Sequence, residues 1–190
     1  MTPTLAEQKA QARRDATARR AEAHAAHRAA ASEALTRALG SIRGQVLSGY
    51  LPIRTEADPL PAMEALAGAN RICVPVIQGP GQPLVFKEWR PGCALEEGPF
   101  RVMVPCDGDW LVPKVLIVPL LAFDPRFHRL GYGGGFYDRT LQSLRAAGPI
   151  RAVGFAYGAQ RAEALPLEPT DQPLDEVVTE AGAVPLAPRR

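Results

Sequence analysis

The chain has 190 residues, 46% of them apolar, which is enough to bury one substantial core and too few for two large domains. Its 22 Lys and Arg against 20 Asp and Glu leave a net charge of +2, which excludes a whole-protein field aimed at nucleic acid or membrane, so any anion site is local. Three widely spaced cysteines, Cys73, Cys93 and Cys106, contain no C-x-x-C pair, argue against a zinc or disulfide framework and read as reduced.

From about Ala6 to Leu47 good helix formers dominate, and a late apolar stripe at Leu35, Leu39, Ile42 and Val46 predicts a helical arm docked on the core. Upstream, Lys9, Arg13, Arg14, Arg19, Arg20 and Arg28 sit among alanines, as on an exposed basic helix. The segment lacks a signal-peptide core, its acids Glu7, Asp15 and Glu22 count against a transit peptide, and no apolar run reaches the roughly 18 residues of a membrane span. A cytoplasmic location with no membrane partner is the resulting expectation.

Gly49 to Ile53 predicts a short strand, and Asp58 with Pro59 starts a helix that Gly68 ends near Ala67. Arg71 to Val76 predicts a buried strand, Gln78 to Gln82 a turn, and Leu84 to Trp89 and Phe100 to Val104 shorter strands. Val115 to Phe123 is apolar without alternation, as in a central parallel strand covered on both faces. A helix from Phe136 to Ala147, a strand from Ile150 to Tyr157 and a last strand at Glu176 to Thr179 complete the pattern. Strands alternating with helices predict a single α/β domain over residues 1–190, with the arm at about 5–47 and the core at about 49–180.

The most informative piece is RLGYGGGFYDR, Arg129 to Arg139. It follows the strongest strand and opens a helix, and Gly131, Gly133, Gly134 and Gly135 let the backbone approach an anion while the helix N-terminus favours negative charge. No G-K-[ST] follows and the Rossmann spacing is missing, so glycines alone leave a structural turn open. Arg129 is suited to neutralise phosphate, and Asp138 reads as a magnesium ligand or as a simple N-terminal helix charge.

Taken with VPLLAFD before it, this segment resembles the signature of the 5-formyltetrahydrofolate cyclo-ligase family. GYLPIRTEADP, PLVFKEWRPGCAL, GFAYGAQ and Asp171 to Glu180 extend the likeness in order and spacing over nearly the whole chain. The resemblance implies a three-layer α/β/α fold with a mostly parallel sheet, similar to ribose-phosphate isomerases and coenzyme A transferases. It also implies an ATP- and Mg2+-dependent ligase closing a C–N bond, turning 5-formyltetrahydrofolate into 5,10-methenyltetrahydrofolate through a phosphorylated formyl group.

Residue by residue, the resemblance implies ATP contacts at Arg129, Leu130, Gly131, Tyr132, Gly133, Gly134, Gly135, Phe136 and Tyr137. Lys9 and Arg13, one helical turn apart, would reach the phosphates from the arm. The folate would meet Leu51, Glu56, Tyr132, Gly133, Gly134, Gly135 and Phe136. Glu56 is chemically apt, since a carboxylate accepts the side-by-side N–H donors of a pterin. Asp138 and Asp171 match magnesium positions, and Arg129, Tyr132 and Asp138 are the expected catalytic groups. A monomer acting on a reduced folate, with or without a polyglutamate tail, is implied.

Some positions depart from that pattern: Phe127 stands where glycine commonly follows the F-D turn, Thr170 where His often precedes Asp171, and Val104 and Lys114 where acids are frequent. Trp89 reads as a core aromatic or a stacking platform. Two other readings stay open. One keeps the ATP loop but loses folate turnover; the other is a nucleic-acid-binding protein using the Arg-rich arm, weakened by its interleaved acids and few aromatics.

Overall fold

A computed structural model describes residues 3–186. Helix α1 (Leu5–Leu39) opens on a capping box in which Thr4 and Glu7 satisfy each other's backbone N–H groups. In chain order there follow β1 (Val46–Ser48), α2 (Leu60–Ala67), β2 (Arg71–Val76), β3 (Val85–Glu88), β4 (Leu95–Glu97), β5 (Met103–Pro105), β6 (Trp110–Leu111) and β7 (Val115–Pro119). After them come β8 (Ala122–Phe123), β9 (Arg129–Leu130), α3 (Phe136–Ala147), β10 (Arg151–Phe155), β11 (Glu176–Thr179) and β12 (Gly182–Ala183).

Eight strands form one sheet in the order β12-β11-β10-β7-β1-β2-β3-β6. The five from β11 to β2 run parallel, β12 and β3 pair antiparallel with them on either side, and β6 pairs antiparallel with β3 at the far edge. Alternate residues of the central strands serve opposite faces: Val115 and Ile117 join Leu35, Leu39 and Met63 of α1 and α2, whereas Leu116 and Val118 join Leu141 of α3. A doubly covered parallel sheet explains why β7 is apolar throughout. The fold is α/β in three layers, as expected.

Several boundaries differ from the sequence expectation. Helix α1 ends at Leu39 with Gly40 as its cap, so Val46 belongs to β1 and not to a helical stripe. Gly49 to Ile53 is not a strand; beyond the Gly49 N–H bond to the Cys73 carbonyl the chain leaves the sheet, and Pro52 has no N–H to give. A Cβ on Gly49 would overlap the sulfur of buried Met63, so only glycine lets α2 close against this exit. Strand β7 stops at Pro119, and Gln160 Nε2 satisfies the carbonyls of Leu120 and Leu121 where the chain turns into β8. Pro99–Arg101 forms a 3-10 turn where a strand was expected.

The largest departure concerns α1. Its buried positions Lys9, Ala16, Arg20 and Ala23, with half-buried Arg13, follow the four-three spacing of one helix face. Arg20 is 2% exposed and Lys9 8%, so these cations are not surface decoration. Alanine is what makes this possible, because its small side chain lets the helix approach Leu121, Ala122 and Leu130 closely.

Candidate active site

A cleft of about 600 Å³ opens at the carboxyl ends of the parallel strands. Tyr50, Leu51, Ile53 and Glu56 enter it from the loop after β1, Pro75 and Ile77 from the end of β2, and Pro119 from the end of β7. Since β2 and β7 flank β1 on opposite sides, the cleft lies where the chain direction across the sheet reverses. Every residue singled out in the sequence as an ATP, folate or metal contact lines it.

The glycine loop forms one wall. Gly133 and Gly134 are exposed, and Gly133 (φ 100°) and Gly135 (φ 64°) use backbone that other residues rarely adopt. Gly135 caps α3 with no side chain on the first-turn N–H groups, so the positive end of that helix is open to the cleft. Leu130 contributes backbone only, its side chain being buried against Ala16 and Leu121. The Phe100 ring meets the Phe136 ring edge-on at 6.1 Å beside the loop.

Helix α1 supplies the cations. Arg13 Nε donates to the Gly131 carbonyl at 3.0 Å, and Lys9 Nζ bridges Glu168 at 2.7 Å and Asp171 at 2.9 Å. Burial pulls the Lys9 ammonium down, but the two carboxylates outweigh it and hold it above its ordinary value.

Glu56 is 5% exposed. Its Oε1 accepts from the Tyr132 hydroxyl at 2.7 Å and its Oε2 from the Ile53 N–H at 2.9 Å. Burial raises the carboxyl above its usual range, while those two donors and Arg20 pull it back. The Tyr132 phenol is pushed up to about 12, chiefly by burial and then by Glu56. Tyr137 is a further lining phenol, raised by burial, whose buried hydroxyl has no partner among the described residues.

Arg129 donates to the Gln172 carbonyl and to Asp138 Oδ1 at 2.8 Å, and the same Oδ1 accepts the Gln172 N–H at 2.9 Å. Burial lowers the Arg129 guanidinium and Asp138 opposes the shift, leaving the group a cation. Asp171 Oδ2 takes the Lys9 ammonium and the Glu168 N–H. Each aspartate thus commits one oxygen to the protein and keeps the other, and no cluster of three or more acidic, His or Cys ligands occurs among the described residues. Two carboxylates beside a glycine-rich loop at the open N-terminus of a helix fit Mg2+, which commonly binds one or two protein carboxylates plus substrate phosphates and water.

Sequence reasoning missed Arg20, Glu168, Tyr50 and Gln142. The four-three spacing of Lys9, Arg13, Ala16 and Arg20 was a signal for the first, visible only if cations are allowed on a buried stripe. Trp89 lies in the core against Ile72 and Tyr50, away from the cleft lining. His24 pairs with the Tyr157 hydroxyl at 2.9 Å.

A sequence model of the 5-formyltetrahydrofolate cyclo-ligase family matches residues 5–180. The chain is 36% identical over 145 residues to the 5-formyltetrahydrofolate cyclo-ligase of Escherichia coli K12, covering 73% of this chain and 79% of that one. It is 31% identical over 149 residues to the enzyme of the same name from Mycolicibacterium smegmatis, covering 73% and 75%. The solved structure of Aquifex aeolicus 5,10-methenyltetrahydrofolate synthetase superposes with a TM-score of 0.75 at 29% identity, covering 96% of this chain and 94% of that one.

Proposed function

The chain belongs to the 5-formyltetrahydrofolate cyclo-ligase family, and from that premise we propose that it closes 5-formyltetrahydrofolate to 5,10-methenyltetrahydrofolate at the expense of ATP, with Mg2+ bound. The supporting observation is convergence. Lys9 and Arg13 from the start of the chain, Glu56 from the loop after β1, the glycine loop, Asp138 and Asp171 all line one cleft.

The formyl group on N5 is an amide, so its carbon is a poor electrophile and its oxygen a poor leaving group. In the proposed sequence the formyl oxygen attacks the γ-phosphorus, the bond to the β-phosphate oxygen breaks and ADP leaves. N10 then attacks the resulting imidate carbon and loses its proton, and the C–O bond breaks to release phosphate carrying the formyl oxygen.

The chain's own groups bind and orient. Lys9, Arg13, Arg129, the loop N–H groups and the open end of α3 would hold and neutralise the triphosphate, which is the main task in phosphoryl transfer. Asp138 and Asp171 would hold Mg2+, which when bound spreads charge over phosphate oxygens. Glu56 would accept the paired N–H donors of the pterin, Leu51 and Phe136 would pack on it, and Tyr132 would touch both ligands. The unpartnered Tyr137 hydroxyl offers one more donor inside the cleft. The enzyme would act as a monomer, in the cytoplasm where ATP and reduced folates meet.

The test is turnover of 5-formyltetrahydrofolate with and without ATP, followed by the ultraviolet absorbance of the methenyl product. ATP-dependent appearance of that absorbance is expected. ATP binding with no methenyl formation would overturn the assignment in favour of a nucleotide-binding relative with another substrate.

A further inference from the structure

Arg20 lies under the cleft and does not line it, yet its guanidinium touches the residues that face a folate. Nε donates to Thr55 Oγ1 at 3.2 Å and Nη1 to the Tyr132 hydroxyl at 2.5 Å. Nη1 also stands 4.0 Å from Glu56 Oε1, and the guanidinium lies 5.5 Å from the centre of the Tyr132 ring. A cation buried to 2% exposure is costly unless fixed acceptors surround it, and these belong to the loop that carries Glu56 and to the phenol bonded to Glu56.

The Tyr132 hydroxyl accepts from Arg20 and donates to Glu56, which makes a polarised chain from cation to carboxylate. The other ionisable groups facing Glu56 are the phenols of Tyr132, Tyr50 and Tyr137, so Arg20 is its counter-charge among the described residues. Arginine is needed rather than lysine, because a planar fork serves Thr55 and Tyr132 at once.

We infer that Arg20 is a positioning residue for substrate recognition: through Thr55 and Tyr132 it keeps the Glu56 carboxylate ionised and aimed into the cleft, ready for the paired N–H donors of a reduced pterin. This rests on Glu56 being the pterin acceptor.

Kinetics of Arg20→Met, Glu56→Gln and the double variant, with KM for folate and for ATP measured separately across pH, test it. Arg20→Met is expected to raise the folate KM at least about tenfold near about pH 6 and by less near about pH 8.5, since a carboxylate without its counter-charge protonates earlier. The ATP KM should stay within about threefold, and in the Glu56→Gln background the Arg20 substitution should change the folate KM by less than about twofold. Equal, pH-independent losses in both backgrounds, or a parallel rise in the ATP KM, would make Arg20 merely structural and overturn the inference. An unchanged folate KM in Glu56→Gln alone would remove the Glu56 assignment as well, which separates the two failures. Should Arg20→Met not fold, Arg20→Lys carries the test: with the charge kept and the fork lost, the folate KM should rise at every pH without a shifted acid limb, and wild-type folate kinetics would refute the proposal.

Discussion

Lys9 and Asp171 are 162 residues apart in the chain and 2.9 Å apart in space, Nζ to Oδ2. The same ammonium holds Glu168 at 2.7 Å, so the first turns of α1 are tied to the loop before β11 across the mouth of the cleft. In the proposed reaction the triphosphate meets a cation already placed by two carboxylates. Lys9→Ala should raise the ATP KM at least about tenfold, because a charge-assisted hydrogen bond is worth about 1.5–3 kcal/mol. The folate KM should barely move. Steady-state kinetics with each substrate varied in turn checks this, and an ATP KM within about twofold of wild type would exclude Lys9 from phosphate binding.

The glycines of the loop are not equivalent. At Gly134 a Cβ would sit 2.7 Å from the Phe136 ring, and at Gly135 it would meet Arg139 Nη1 at 2.7 Å on backbone of φ 64°. At Gly131 nothing lies within 4 Å and φ is ordinary. Gly131→Ala should fold and melt like wild type, whereas Gly135→Ala should cost about 1–2 kcal/mol in stability from the left-handed backbone alone. Gly134→Ala should displace Phe136 and raise both KM values, while thermal melts report the stability differences.

Glu56 titrates above its ordinary value of 4.5 because burial outweighs its donors. A raised carboxyl takes up its proton earlier as pH falls, so the ionised acceptor proposed for the pterin is lost on the acid side sooner than an ordinary carboxylate would be. The profile of kcat/KM for folate should show an acid limb there, the profile for ATP should lack it, and Glu56→Gln should remove it at a lowered plateau. An identical limb in both profiles would assign the titration to another group.

The sheet was legible in the sequence wherever one strand feeds one layer. Arg71–Val76, Phe136–Ala147 and Glu176–Thr179 stand as read, since a buried parallel strand and a helix closed by Gly148 each leave an unambiguous local pattern. The misreadings fall where tertiary contacts override local pattern. Val115 to Phe123 looks continuous, but Pro119 and the side chain of distant Gln160 break it. Arg20 was read as solvated because its partners Thr55 and Tyr132 lie far along the chain, as do Glu168 and Asp171, which hold Lys9. Motif residues named individually all line the cleft; the residues beneath them carried no motif to be found by.

Arg129 and Asp138 couple stability to chemistry. The Arg129 side chain is 4% exposed and that of Asp138 26%. Arg129→Ala leaves the Gln172 carbonyl without its donor and Asp138 with only the Gln172 N–H, and breaking such a buried pair costs about 3–5 kcal/mol. Asp138→Asn keeps the geometry but removes charge, so its main effect should be a higher Mg2+ concentration for half-maximal rate with a smaller loss of stability. Denaturant melts beside Mg2+ titrations of activity separate the two. Equal Mg2+ dependence in Asp138→Asn and wild type would confine Asp138 to its ion pair with Arg129.

Phe127 occupies left-handed backbone at φ 63°, where glycine would be unstrained. The strain is held by its surroundings: the N–H bonds to the Asp124 carbonyl, the carbonyl accepts from Leu174, and the ring is 2% exposed between β8 and the α3 side of the sheet. Relief of a bulky residue from that region returns about 1–3 kcal/mol, while loss of a buried phenyl ring costs about 3–5 kcal/mol. Phe127→Gly should therefore destabilise the protein by about 2 kcal/mol, lowering Tm by about 4–8 °C for a domain of this size. The turn lies outside the cleft, so KM values below the melting range should stay near wild type. A raised Tm would mean that the ring contributes less to the core than the backbone loses.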